Sequence, residues 1–236
     1  MSKSFAVGML LHDDMVAIDH IAPLTVFKLL GAQIHLVART PAPVSSDVGA
    51  NFAPNCSFAD CPAALDLLFV PGGMRGTIAA MRDPATVAFV ADRGMRARYA
   101  ASVCTGSLLL GVAGLLAGYR ATSHWYTRHL VPLFGAEARH ERVVIDRNRI
   151  TAGGATAGMD MALAIGAELC GEAAARHVQL ILEYDPRPPF DAGSPEAAGP
   201  EAVAVVLARR QPLIDEARAA IETVFGEAVF GEAALA

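Results

Sequence analysis

The sequence predicts an α/β fold built on a mostly parallel sheet with helices on both faces. Short, continuously apolar runs such as residues 5–11 and 65–70 are typical of strands that are covered on both faces. Stretches with helix signals, among them residues 84–95 and 155–170, alternate with these runs along the chain. Ligands bind such sheets at the carboxyl ends of the strands, so residues that follow strands are the candidates for a functional site.

The first quarter of the chain predicts two strands joined by a helix. Asp19 is expected to cap that helix, Pro23 fits its first turn, where a missing N–H costs little, and Gly31 ends it. Residues 34–38 form the second predicted strand. Residues 39–51 contain three prolines together with serine and glycine, and are expected to form a surface loop.

The rest of the chain continues the alternation. A strand over residues 98–103 precedes an apolar stretch, residues 108–116, that is predicted to be a helix. Residues 143–151 are typical of a hairpin. Further helices are predicted over residues 155–170, 172–182 and about 200–224. No repeat or long linker divides the chain, so residues 1–236 are predicted to be one domain, with a core over about residues 5–200 and a C-terminal helix over about residues 200–224.

Composition favours a globular protein. Hydrophobic residues make up 53% of the chain and charged residues 18%, which allows a large core and disfavours disorder. The net charge is −5 and no basic cluster occurs, so nucleic acid and anionic membranes are poor partners. The N-terminal apolar run is too short for a secretion signal, and no run approaches the roughly 18 residues of a membrane-spanning helix. We therefore expect a cytoplasmic protein that binds neither nucleic acid nor membrane.

The cysteines and histidines are scattered. Without a secretion signal, four cysteines that form no C-x-x-C pair are expected to be free thiols. They are Cys56, Cys61, Cys104 and Cys170. The seven histidines show no metal-ligand spacing. The sequence therefore predicts no bound metal.

Cys104 lies at the predicted corner between a strand and a helix. The unpaired N–H groups and the dipole of a helix N-terminus favour an anion, and so are expected to lower the thiol pKa from roughly 8.5. Strand-turn-helix elbows of this kind also carry exposed serine nucleophiles. The residues alone equally allow a small buried cysteine at a strand end, because free cysteine is among the most buried residue types. Both interpretations stay open at this point.

Several other residues follow predicted strand ends and could meet the cysteine in one cleft. They are Asp19, Gly72, Gly73, His124 and Gly153. Gly72 and Gly73 leave backbone N–H groups available for a ligand, although a bare turn is the alternative. The residues alone favour a helix-cap role for Asp19, a structural role for His124 near the cleft and a surface position for His20.

Four motifs resemble the ThiJ/PfpI family, part of the class I glutamine amidotransferase-like superfamily. They are VPGG at residues 70–73, SVCTGS at 102–107, ATSHW at 121–125 and TAGGATAGMD at 151–160. The cysteine motif is shared across the superfamily. The segment QLILEYDPRPPFDAGSP at residues 179–195 is especially similar to the isocyanide hydratases of that family. The resemblance covers about residues 5–200.

The resemblance implies a flavodoxin-like three-layer sandwich, a homodimer and no cofactor. It implies a hydro-lyase that adds water to a small-molecule isocyanide and yields an N-substituted formamide. By position, Cys104 corresponds to the family nucleophile, Asp19 to the essential acid and Thr105 to the threonine beside the nucleophile. Pocket backbone elements correspond here to Gly72, Gly73 and Gly153. Ala155 stands where the hydratases often carry a bulkier aliphatic residue, and is expected to enlarge the pocket. The family's Asp-Leu-Thr-Gly-Pro reads Asp-His-Ile-Ala-Pro at residues 19–23.

The chemistry of the substrate suggests roles for these groups. Hydration needs a nucleophile, a proton donor to carbon and a positioned water. The hypothesis is that Cys104 forms a thioimidate, Asp19 relays the proton and activates water, and Thr105 orients that water. One alternative is glyoxalase- or deglycase-like chemistry, although those relatives usually pair the cysteine with glutamate. Another is a thiol-based sensor without enzymatic activity. Regulators that share the elbow carry a helix-turn-helix module, for which the residues after Pro200 are expected to be too few.

Overall fold

The computed structural model describes the backbone of residues 4–233 and the side chains of residues 4–225. The strands are β1 (Ala6–Leu10), β2 (Gln33–Ala38), β3 (Val44–Ser45), β4 (Asn51–Phe52), β5 (Cys56–Ser57), β6 (Leu67–Val70), β7 (Tyr99–Val103), β8 (Arg120–Ala121), β9 (Glu137–Ala138), β10 (Val143–Asp146) and β11 (Arg149–Ala152). The α-helices are α1 (Ala17–Leu29), α2 (Met74–Arg82), α3 (Pro84–Arg96), α4 (Gly106–Val112), α5 (Ala157–Cys170), α6 (Glu172–Ile181), α7 (Pro195–Ala198) and α8 (Pro200–Ala233), and a 3-10 helix spans Arg128–Phe134.

The main sheet has seven strands within the described residues, in the order β10-β11-β7-β6-β1-β2-β5. All neighbours pair in parallel except the hairpin β10–β11. The chain runs from β1 to β2 on one side and later returns to β6 on the other. The carboxyl ends of β1 and β6 therefore border a topological switch point, where sheets of this kind bind ligands.

Two apolar clusters cover the two faces of the sheet, as β6 shows. Leu68 and Val70 point into the cluster that includes residues of α2, α3, α4 and α8. Leu67 and Phe69 point into the cluster that includes residues of α1 and α5. Alternate side chains of a strand face opposite sides, so a strand buried on both faces is apolar at most positions. The predicted α/β sandwich with a mostly parallel sheet is confirmed.

The predicted elements differ from the structure in a few places. Helix α2 has no counterpart among them, and the predicted loop over residues 39–51 contains the small hairpin β3–β4. Helix α4 ends at Val112 instead of continuing to residue 116, because the chain turns at Gly114 with φ of 75°. Helix α8 extends to Ala233, beyond the predicted end at residue 224. Within residues 4–233, no helix combines the length and apolar character needed to cross a membrane.

Candidate active site

Cys104 forms a strained elbow between β7 and α4. Its φ of 58° is uncommon for a residue other than glycine. Its N–H donates to the carbonyls of Ala152 (3.1 Å) and Gly153 (2.7 Å), and its carbonyl accepts from the His124 N–H (3.2 Å) and the Ser123 hydroxyl (3.1 Å). These four bonds hold the backbone in a conformation that it would otherwise leave. The cysteine is 5% exposed, at the carboxyl end of the strand.

Asp19 is fully buried, and its carboxylate interacts with the Cys104 side chain. The prediction that Asp19 caps α1 is wrong, because the helix begins at Ala17 with Val16 at the cap position and Asp19 lies inside its first turn. Asp19 Oδ2 instead accepts the N–H of Gly72 at 3.0 Å. Asp19 Oδ1 has no hydrogen-bond partner among the described residues. Its lone pairs are therefore available to a neighbouring proton.

The Gly72–Gly73 loop after β6 connects the groups of the site. A Cβ at Gly72 would lie 2.7 Å from both Asp19 Oδ2 and Cys104 Cβ, so no side chain fits there. Gly73 has φ of 136°, and its N–H donates to Thr105 Oγ1 at 3.0 Å. The two amides therefore hold Asp19 and Thr105 in place. Both N–H groups are hydrogen-bonded within the protein. They are therefore not available to a ligand, which differs from the expectation drawn from the sequence.

Thr77 is a member of the site that the sequence did not reveal. Its hydroxyl lies 2.9 Å from that of Thr105, and both residues are fully buried. Thr77 lies on α2, the helix that the sequence pattern did not indicate. No local motif marks it, because its position beside Thr105 arises only when α2 packs against α4.

The side chains of Asp19 and Cys104 are electrostatically coupled. Burial raises the pKa of Asp19 from 3.8 to about 7, while the Gly72 N–H and the Cys104 side chain act to lower it. Burial also raises the pKa of Cys104 well above its usual value, and the nearby Asp19 charge raises it further, while hydrogen bonds from Thr105 oppose both effects. The predicted lowering of the thiol pKa is therefore wrong. Two adjacent buried negative charges are unfavourable, so the pair retains one proton at neutral pH.

Two histidines near the site are neutral: His124, which is half-buried, and His20. Burial, together with the charges of Arg210 and Arg128, lowers the pKa of His124 to about 4. His124 therefore supplies no positive charge to the sulfur at neutral pH. The predicted surface position of His20 is wrong: the residue is fully buried, packs edge-on against Phe52 with ring centroids 5.5 Å apart, and burial lowers its pKa to about 4.

The remaining predicted site residues lie on the segment between β11 and α5. Gly153 touches the elbow directly through its carbonyl, which accepts the Cys104 N–H. Ala155 is half-buried two residues further along, and its effect on the pocket stays a prediction. All four cysteines are free thiols. In the part of the chain that the structure describes, no three metal-ligating side chains form a cluster.

A strained cysteine elbow beside a buried carboxylate, at the carboxyl edge of a mostly parallel sheet, defines a class of α/β proteins that present a cysteine at a ligand-binding edge. The chain belongs to the DJ-1/PfpI family, whose model matches residues 6–168. It is 46% identical over 213 residues to the isonitrile hydratase of Pseudomonas putida. That alignment covers 90% of this chain and 88% of the enzyme.

Two further comparisons show how far the similarity extends. The crystal structure of a ThiJ/PfpI family protein from Pseudomonas syringae has a TM-score of 0.91 and 45% sequence identity, and covers 93% of this chain and 91% of that one. The HTH-type transcriptional regulator GbdR of Pseudomonas aeruginosa is 32% identical over 167 residues. That match covers 67% of this chain but only 45% of the regulator. The similarity to the regulator is therefore confined to part of that protein.

Proposed function

We infer that this protein is an isocyanide hydratase, which adds water to an isocyanide (isonitrile) and releases an N-substituted formamide. One observation carries the inference: the Cys104 elbow lies beside the buried Asp19 in a chain 46% identical to the Pseudomonas putida isonitrile hydratase over 90% of its length. The carboxylate is an aspartate, whereas the family's glyoxalase- and deglycase-like members usually have a glutamate, so the site favours hydration.

The first step joins the sulfur to the isocyanide carbon. Cys104 Sγ attacks that carbon while its proton passes to Asp19 Oδ1, the buried oxygen that has no other partner among the described residues. The attacked carbon becomes basic and receives the same proton, which gives a thioimidate. A carboxyl group with a pKa near 7 is well suited to accept and return a proton at neutral pH.

The second step hydrates the thioimidate. Asp19 helps a water to attack the carbon, so that the carbon gains a hydroxyl group and the nitrogen gains a proton. The hydroxyl proton then returns to the sulfur as the carbon–sulfur bond breaks and the formamide leaves. The Gly73 N–H already donates to Thr105 Oγ1, and Thr77 shares a bond with it. If Thr77 donates that shared bond, the Thr105 proton is directed toward the sulfur and the attacking water.

Thr77→Val tests this arrangement. Valine keeps the shape of the side chain but removes the hydroxyl that orients Thr105, so we expect kcat to fall by about tenfold, the worth of one buried hydrogen bond. KM should change little, because Thr77 does not touch the substrate. Thr77→Ser retains the hydroxyl and should retain kcat. Equal kcat values for the valine and serine variants would show that Thr77 does not position Thr105.

The activity itself is tested with purified protein and a panel of small aliphatic, cyclic and aromatic isocyanides, following formamide absorbance. We expect turnover without an added metal or cofactor. Methylglyoxal serves as the comparison substrate for the glyoxalase-like alternative. Consumption of methylglyoxal without hydration of any isocyanide would favour that alternative, and inactivity toward both would favour a thiol-based sensor.

We also propose that the protein is a cytoplasmic homodimer. Helix α1 exposes Ile18, Ile21 and Leu29, which are 48%, 46% and 42% exposed at a spacing that places them along one side of the helix. Val48, 71% exposed, lies next to Asp47, whose carboxylate accepts the Ala17 N–H at the start of α1. An apolar patch of this kind is typical of an interface, and a second copy would cover the helix that carries Asp19.

Ile21→Asp is expected to convert the dimer to a monomer, because it places a charge in the centre of the proposed interface. Light scattering on the eluted peak would measure the mass. Met95→Asp is the matched control, since Met95 is 67% exposed on α3 and outside the patch. A wild-type protein that elutes as a monomer at micromolar concentration, or an Ile21→Asp variant that stays dimeric, would contradict this interface.

A further inference from the structure

A cleft of about 430 Å³ lies between the loop after β8, the segment around α7 and the first turns of α8. The residues that matter for the argument are His124, Trp125, Tyr126, Pro195, Val206 and Arg210. Its volume falls within the range of small-molecule sites, about 300–1,000 Å³. One wall is aromatic and the opposite wall, on α8, combines a small apolar side chain with a guanidinium. None of the residues that line it is acidic.

Cys104 does not itself line the cleft, but His124, which does, contacts the Cys104 backbone. The backbone N–H of His124 donates to the Cys104 carbonyl, and the Tyr126 ring packs on the His124 ring with centroids 3.8 Å apart. Burial and the charges of Cys104 and Asp19 raise the pKa of Tyr126 to about 12, against the charge of Arg210, which lowers it. The Tyr126 phenol therefore lies within electrostatic reach of the reacting pair on one side and of Arg210 on the other.

Arg210 is the cation that this cleft presents to a ligand. It is exposed and forms no salt bridge with any residue whose side chain is described. The nearby Glu196 acts on Arg128 and does not line the cleft. A guanidinium binds a carboxylate through two parallel hydrogen bonds, and aromatic walls accept a flat apolar group.

We propose that this cleft holds the N-substituent of the isocyanide and that Arg210 selects substituents that end in a carboxylate. The proposal rests on the proposed hydratase activity and names its substrate class: isocyanides that carry an apolar, preferably planar, body with an acidic end. The isocyano carbon lies at Cys104, the body lies along Tyr126 and His124, and the carboxylate reaches the guanidinium at the edge of α8.

The test compares 4-isocyanobenzoate with its uncharged methyl ester in the wild type, Arg210→Gln and Arg209→Gln. Arg209→Gln is the matched control, because it removes the same charge from the neighbouring position of α8 but Arg209 does not line the cleft. We expect kcat/KM for the acid relative to the ester to fall by about tenfold in Arg210→Gln, equivalent to about 1.4 kcal/mol. The ratio should stay at the wild-type value in Arg209→Gln.

The outcomes separate the two proposals. Hydration of the ester by the wild type supports the hydratase function whatever the ratio shows. A ratio that is unchanged in Arg210→Gln, or that falls equally in both variants, overturns the assignment of Arg210. Calorimetric binding of the product 4-formamidobenzoate to the wild type and the same variants tests the cleft without turnover. Affinity lost only in Arg210→Gln supports the cleft, and equal affinity in all three proteins overturns it.

Discussion

Cys104→Ser is expected to lower kcat for isocyanide hydration by on the order of 10⁴-fold or more, as removal of a covalent nucleophile does in other enzymes. A hydroxyl is smaller than a thiol and introduces no clash, so the buried elbow should still form. Serine is a far weaker nucleophile, and Asp19 cannot ionise it at neutral pH. The measurement is the initial rate of formamide production by the variant under saturating isocyanide.

Cys170→Ser is the matched control for this substitution. Cys170 is a half-buried free thiol at the end of α5, and it takes no part in the site. It should retain wild-type kcat. The melting temperatures of both variants should stay near that of the wild type, so that lost activity cannot be attributed to unfolding. A Cys104→Ser enzyme with most of its activity would exclude the thioimidate mechanism.

Asp19→Asn is expected to separate activity from stability. The amide oxygen can still accept the Gly72 N–H, so the geometry of the loop is preserved. The variant cannot relay a proton, and we expect kcat to fall by about 10²- to 10⁴-fold, the usual contribution of general acid–base catalysis. The free energy of unfolding should nevertheless rise at neutral and alkaline pH, because the variant no longer buries a carboxylate.

The pH dependence of that stability gain follows from the pKa of Asp19. In the folded state the pKa is about 7, above the ordinary value of 3.8, so folding favours the protonated carboxyl. Ionisation of Asp19 therefore does not lower the stability of the wild type below about pH 4. The loss of stability grows as the pH rises toward 7 and is constant above that. The difference between the folded-state pKa of about 7 and the ordinary value of 3.8 sets an upper limit of about 4 kcal/mol on the stability that Asp19→Asn gains.

Urea unfolding of the wild type and Asp19→Asn between pH 4 and pH 8 measures this difference. The two proteins should have similar stability at pH 4 and should diverge as the pH rises. Asp191→Asn provides the control, because Asp191 is an exposed carboxylate that lies outside the buried pair. A stability difference that is the same at every pH would show that Asp19 does not ionise within the pair.

The sheet could be predicted from the sequence because its signal is local. Strands buried on both faces are mostly apolar; β1 and β6 show this directly, and β7 departs from it only at Ser102. Helix α2 gave no such signal, since its nine residues include Gly76 and two arginines. Gly76 is required there by close packing, because a Cβ would lie 2.0 Å from the Asp13 carbonyl oxygen, and that contact joins distant parts of the chain.

The site was predictable only in part, for the same physical reason. The Cys104 elbow has a local signature, a strand followed at once by a helix. Asp19 resembles a helix cap when its neighbours in sequence alone are considered, and its partner Gly72 is 53 residues away. The directions of the pKa shifts also depend on burial. Tertiary packing determines burial. For this reason the shift of the Cys104 pKa expected from the helix N-terminus is opposite in direction to the one that the structure gives.

The position of the glycine loop has a consequence for heat inactivation. Gly72 and Gly73 follow β6 after one residue, Pro71. Side chains of β6 pack in both apolar clusters, and the strand is hydrogen-bonded to a neighbour on each side. The amides that orient the reacting carboxylate and hydroxyl are therefore anchored next to a strand that is buried along its whole length. The reacting groups should therefore not unfold locally before the sheet itself unfolds. Loss of turnover on warming should coincide with cooperative melting of the whole sheet.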